Sequence, residues 1–391
     1  MLSIPCSFSR DQTDSPLHHN KQCQSESMPI NRRTFLERAS VFAGAFALPA
    51  TELLKAQSNG SPGWRTFKVT TQIEVLKPVG ITRVWVPTAL VQNTPFQKLV
   101  RNTFQCKTGT ARTVRNENGF DLIAAEFPAG AEPTLSVVSE VKTRNWGVNL
   151  AAGHRTANRS GYELAAYLKP TKMLPTDGIV KVRAQEITKA ANTDVDKARA
   201  IYEWVVENTY RNPKTRGCGL GDIRFMLESG DLGGKCADLN ALYVGLARAA
   251  GLPARDVYGI RTASSQMGCK SLGVSSENVT KAQHCRAEVF LQGYGWVPVD
   301  PADVRKVVLE EPPGHRPLQD ELVQQTRNRL FGSWEMNWMA YNYAQDVTLP
   351  GSSGPPLHFF MYPQAETAEG RLDSLDPDQF RYQIKSVELD A

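Results

Sequence analysis

The stretch ADLNALYVGLARAAGLP, from residue 237, constrains the fold more than any other part of the chain. Leu239, Leu242, Tyr243, Leu246 and Ala250 recur at helical spacing, and Val244 and Ala247 make the opposite side apolar too. A helix with no polar face has to be enclosed by other elements, so the spacing predicts a buried helix at the centre of a domain. Its end is also specified: Gly251 suits a C′ glycine and Pro253 forbids continuation. GGKC (233–236) precedes it and puts Cys236 in or just before the first turn. Unsatisfied N–H groups and the positive end of the helix dipole favour a thiolate there. Gly233 and Gly234 predict a backbone open to close approach by a substrate. A lone cysteine at a helix start is more often a small core residue, so the assignment depends on partners elsewhere.

Partners occur in HCRAEVFLQGYGWVPVDPADV (284–304). Residues 284–291 alternate, with Cys285, Ala287, Val289 and Leu291 on one face and His284, Arg286, Glu288 and Phe290 on the other. QGYG signals a turn and WVPVD a return strand. A hairpin centred on Gln292 sets His284 opposite Asp300. A three- or five-residue loop of that centring gives this pairing, whereas a two-residue loop sends the two side chains to opposite faces. A histidine that gives one ring nitrogen to a carboxylate is fixed in orientation, and its other nitrogen is free to take a proton from a thiol. Cys236, His284 and Asp300 thus form a candidate nucleophile, base and orienting acid.

GGKCADLNALYVGLARAAGLPARDVYGIR and HCRAEVFLQGYGWVPVDPADV together resemble the transglutaminase-like superfamily, in its bacterial exported branch. The resemblance covers roughly residues 195–305. It implies a papain-like α+β core in which Cys236 is the nucleophile, His284 the general base and acid, and Asp300 the orienting group. The implied chemistry is acyl transfer at a carboxamide or peptide bond through a thioester, with a protein or peptide substrate and neither a cofactor nor a metal. The alternative is a non-catalytic interaction module on the same fold, whose expected mark is a substituted triad. Arg286 stands where the family often has an aromatic residue. The family also implies an oxyanion donor upstream, for which Tyr210 and Trp204 are both candidates. Cys218, Cys269 and Cys285 read as buried thiols, with a Cys218–Cys269 disulfide the minority alternative.

Around this core, residues 64–150 read as a β-rich, sandwich-like domain of short strands between turn signals, with Asn118-Gly119 a tight turn. The core is placed at 158–310, with helices before strands, and 311–391 is expected as a C-terminal extension packing on it. DVDKARAIYEWVVENTY puts Ala198, Ile201, Tyr202, Val205 and Val206 on one helical face. Residues 1–27 read as a disordered leader or a start assigned too early. Residues 28–57, with Arg32-Arg33 ahead of an apolar run from about Ala39 to Ala50, resemble a twin-arginine signal. The expectation is export by the twin-arginine machinery to the periplasm or beyond, with no stable membrane insertion after processing. A formal charge of +5 over 391 residues, without a basic tract, gives no sign of a nucleic-acid partner. Seven cysteines form no CxxC pair, and the odd number leaves at least one free thiol.

Overall fold

Strict alternation builds the first part of the chain. In strand β1 (Arg65–Val75), Phe67, Val69, Thr71, Ile73 and Val75 are buried and the residues between them are not. β2 (Thr82–Pro87), β3 (Gln97–Cys106), β4 (Thr110–Arg115), β5 (Asp121–Phe127) and β6 (Thr134–Thr143) follow. Gly119, with φ of 80°, turns the chain between β4 and β5. The computed structural model describes residues 63–152 and 164–390, which lie in one compact unit, Gln57–Ala391. The leader and export-signal readings at 1–27 and 28–57 fall outside the described residues. Among the described residues, no helix is long and apolar enough to cross a membrane.

Helices α1 (Gly178–Thr188), α2 (Asp194–Asn208), α3 (Ile223–Ser229) and α4 (Cys236–Ala249) come next. Thr193 caps α2 reciprocally: its hydroxyl accepts from the Asp196 N–H at 3.1 Å, and the Asp196 carboxylate accepts from the Thr193 N–H at 3.0 Å. The face read from the sequence, from Ala198 to Val206, is the buried one. The chain then runs through β7 (Ala254–Arg261), β8 (Gln283–Leu291), β9 (Gly295–Val299), α5 (Pro301–Glu310), α6 (Glu321–Arg329), β10 (Trp338–Asn342), β11 (Gln364–Thr367) and β12 (Phe380–Leu389).

Three sheets organise these strands. One has the order β12–β1–β6–β3, and a second runs from the short strand Gly370–Arg371 through β11, β2, β5 and β4. Ile73, Val84, Val86, Ile123, Phe127, Val137 and Phe380 from these two sheets share one core, so they form a sandwich. The third sheet, β9–β8–β7–β10, lies against α4. The C-terminal stretch differs from the expected extension. β10 completes the third sheet, while β11 and β12 each enter one sheet of the sandwich. Its strands carry backbone pairing that the other segments leave open, which an extension packed by side chains would not supply.

Every residue of α4 from Cys236 to Arg248 is buried, as its apolar circumference requires. α1, α2, α3 and α5 cover the sides that the sheet does not. A Cβ on Gly245 would stand 2.1 Å from Ile223 Cδ1, so this glycine lets α3 approach closely. At the other end Gly251 takes φ of 86°, and the Leu252 N–H donates to the Ala247 carbonyl at 2.9 Å, which closes a Schellman turn.

Candidate active site

Cys236 is the first residue of α4 and is 4% exposed. Asp238 fixes the approach to it. One carboxylate oxygen accepts from the Lys235 N–H at 2.9 Å, and the other from the N–H groups of Leu220 (3.0 Å) and Gly221 (2.9 Å). One side chain thereby ties the 218–221 loop to the residue preceding the thiol. The two glycines are needed for a different reason from the one expected. A Cβ on Gly233 would lie 2.2 Å from the Tyr210 ring, and one on Gly234 would lie 2.5 Å from Asp238 Cβ. Their openness is taken up by the protein's own side chains.

The hairpin pairs Ala287 with Val299 and Leu291 with Gly295, so it is centred on Gly293, one residue beyond the expected centre. Arg286 rather than His284 is therefore level with position 300. The pairing slips by two residues, and a slip of two preserves the face. His284 Nε2 meets Asp300 Oδ2 at 2.8 Å along a diagonal. Asp300 also caps α5, its Oδ1 accepting from the Asp303 N–H at 3.1 Å.

Sequence reasoning did not single out three residues around this pair. Asp303 Oδ2 lies 3.4 Å from the same His284 nitrogen, and Arg261 donates to Asp303 Oδ1 at 2.6 Å. Asn240, fully buried, donates to the Cys285 carbonyl (2.9 Å) and to Asp300 Oδ1 (3.2 Å), and accepts from the Ala302 N–H (3.3 Å). It joins α4, β8 and the start of α5. A signal existed for two of the three: Asn240 follows Cys236 by one helical turn, and Asp303 is the third residue after the Asp300 cap. Arg286 lies over the rings of Trp334 and Trp338 at 5.4 and 4.8 Å, donates to the Glu335 carbonyl at 2.9 Å, and has its Nε 3.7 Å from Asp300 Oδ2. Burial first, and Arg261 beside it, bring its pKa down to about 10 despite Asp300.

The electrostatics divide the groups. The neighbouring Cys218 thiol and then the Cys285 thiol outweigh burial and lower the Cys236 pKa well below the ordinary thiol value, with His284 adding to the effect. The cost appears on the donors. The bond to Cys236 and burial push Cys218 up, and burial and the same sulfur push Cys285 up. Burial and Arg261 oppose protonation of His284, but Asp303 and Asp300 prevail and raise its pKa. Burial and Asp303 raise that of Asp300. Against burial, Arg261 and then His284 depress Asp303 strongly. With Nε2 given to the carboxylates, the remaining ring nitrogen, Nδ1, is the one available to the Cys236 sulfur. The arrangement favours a thiolate–imidazolium pair.

Cys218 and Cys269 are both free. Cys269 bonds the Thr326 hydroxyl at 3.3 Å and Cys218 faces the Gln283 carbonyl at 3.4 Å, so the disulfide considered from sequence is not formed. The donor atoms of His284, Asp300 and Asp303 lie within 4.8 Å of one another, the spacing of a cation site. Arg261 and Arg286 already face that carboxylate pair, and their charge disfavours a further cation there.

The sulfur and His284 line a cavity of about 560 Å³, bounded also by Gly217, Cys218, Gln283, Tyr362 and Tyr382. Neither upstream candidate for an oxyanion donor is in its lining. The Tyr210 hydroxyl donates to Asp231 at 2.8 Å, and Trp204 is half-buried in α2 beneath the Arg183 guanidinium. Tyr362 comes from the C-terminal stretch, and no motif marks it in the sequence.

A thiol at the head of a buried helix, with a histidine and an acid on the adjoining sheet, defines a papain-like α+β fold. The transglutaminase-like superfamily profile matches residues 181–301, which contain Cys236, His284 and Asp300. The chain belongs to the transglutaminase-like superfamily, and family and fold together are those of thiol-dependent enzymes. It is 37% identical over 326 residues to an uncharacterized protein of Haemophilus influenzae, covering 79% of this chain and 87% of that one. A solved structure of a candidate cysteine protease from Cytophaga hutchinsonii superposes with a TM-score of 0.54 at 14% identity, over 84% of this chain and 92% of that one. The periplasmic domain of TgpA from Pseudomonas aeruginosa gives a TM-score of 0.33 at 16% identity, over 69% and 95% of the two chains.

Proposed function

We propose that the protein is an exported thiol-dependent acyl-transfer enzyme that acts on carboxamide or peptide bonds. The observation that carries this reading is geometric: Cys236 opens the buried helix α4 and lines one cavity with His284, whose Nε2 Asp300 holds at 2.8 Å. In the proposed step the Cys236 thiolate attacks the carbonyl carbon. The His284 imidazolium gives its proton to the departing amine or ammonia, and a thioester remains. Water or a second amine, deprotonated by His284, then attacks the thioester and frees the thiolate. Asp300 keeps Nδ1 of the ring directed at the sulfur throughout. The Cys236 N–H, which has no intrahelical acceptor in the first turn, is a main-chain donor available to the developing oxyanion. Arg32-Arg33 and the apolar run after them support export by the twin-arginine route to the periplasm or beyond.

The test is to incubate the protein with a glutaminyl peptide, with and without a labelled primary amine. Incorporation of label identifies an amine acceptor, and release without incorporation identifies water. The reading fails if neither occurs and Cys236 alkylates like an ordinary surface thiol, with no change in His284→Ala.

A further inference from the structure

The cavity at Cys236 is unusual in its charge. The chain carries 45 basic and 40 acidic residues, close to balance, yet among the described residues the lining holds Arg211, Arg216, Lys235, Arg261, Lys281 and Lys306 and not one aspartate or glutamate. Four of these cations have carboxylate partners outside the lining: Arg211 and Lys306 pair with Glu310, Arg216 with Asp373, and Arg261 with Asp303. Lys235 and Lys281 pair with no carboxylate among the described residues. Both line the cavity that Cys236 and His284 line, and in the chain Lys235 directly precedes Cys236 while Lys281 comes three residues before His284. The cavity therefore carries uncompensated positive charge in the same lining as the sulfur. A thiolate alone does not account for so many cations, since the two neighbouring thiols and His284 already stabilise it.

We propose that the acyl substrate is an acidic peptide, with a carboxylate beside the scissile bond that Lys235 and Lys281 receive. This rests on the acyl-transfer reading of Cys236 and names its substrate class. A neutral or cationic peptide gains nothing from this lining, whereas an anionic one is drawn in and held in register.

Iodoacetate and iodoacetamide test the charge preference, because they alkylate a thiolate by the same displacement of iodide and differ by one negative charge. Rates at Cys236 in the full chain are measured by peptide-resolved mass spectrometry, with Cys106, a partly exposed free thiol outside this cavity, as internal reference. The expected result is an iodoacetate-to-iodoacetamide ratio at Cys236 several-fold above that at Cys106 in low salt, falling towards it in about 0.5 M NaCl. A full charge acting across ~7 Å of water is worth roughly a factor of three, so Lys235→Gln and Lys281→Gln each lower the ratio by about that factor. The ratio cancels any general change in thiol reactivity, and the iodoacetamide rate alone reports that the site has formed. A glutamyl tripeptide should also protect Cys236 from iodoacetamide at lower concentration than its glutaminyl counterpart. If Cys236 reacts rapidly with both reagents at a ratio indifferent to salt and to the lysines, the acidic-substrate inference is overturned and the nucleophile reading stands. If Cys236 reacts no faster than Cys106 with either reagent, the nucleophile reading falls and the inference falls with it.

Discussion

Asn240→Ala probes how the three parts of the site are held together. The side chain is fully buried and makes three hydrogen bonds, to the Cys285 carbonyl at 2.9 Å, to Asp300 Oδ1 at 3.2 Å and from the Ala302 N–H at 3.3 Å. Alanine leaves all three partners without it in a place water does not reach. At about 1 kcal/mol for each bond, the loss is roughly 3 kcal/mol of stability. For a unit of this size that corresponds to a fall of roughly 5 °C in the unfolding temperature, read by circular dichroism. Cys236 alkylation should slow as well, because Asn240 fixes the strand bearing His284 and the cap residue Asp300 against the helix bearing the thiol. Asn240→Asp sharpens the test. It keeps the acceptor for Ala302, loses both donors, and sets a second carboxylate against Asp300. It should destabilise at least as much at neutral pH and recover in part as acid lets the pair share a proton. An Asn240→Ala protein that melts within about 1 °C of the parent and alkylates at the same rate would refute the reasoning.

Cys218→Ala and Cys285→Ala each remove a thiol that lowers the Cys236 pKa, and each should slow alkylation at pH 6 by about five- to tenfold; unchanged rates in both would mean that these neighbours do not support the thiolate. A thiolate is populated above its pKa, so the lowered value places the inflection of the parent alkylation profile well below pH 9.0, and His284→Ala should move it upward; coincident profiles exclude the pairing with His284. Gly234→Ala drives a Cβ to 2.5 Å from that of Asp238, and displacing that carboxylate releases the Lys235, Leu220 and Gly221 N–H groups. It should cost roughly 2–4 kcal/mol in urea unfolding and slow alkylation, whereas Gly130→Ala, in open space on a sandwich loop, is confined to the smaller penalty of its positive φ.

Local rules carried much of this site. The apolar circumference of α4, its Gly251 stop and the period-two alternation of β8 are properties of neighbouring residues, so the sequence determined that Cys236 opens a buried helix, while the shared face of His284 and Asp300 waited on the length of the hairpin loop. The two-residue slip in hairpin register left that face intact for the same reason: the side-chain period of a strand is two. What depends on distant segments meeting was decided only by the tertiary structure. Cys218 and Cys285 came to act on one sulfur, Arg261 reached Asp303, and Trp334 and Trp338 enclosed Arg286 because α4, the central sheet and the C-terminal stretch converge there. The charge of the cavity is of the same kind. Its six cations are scattered from Arg211 to Lys306 in a chain of nearly balanced charge, and folding gathers them into one lining with the thiol.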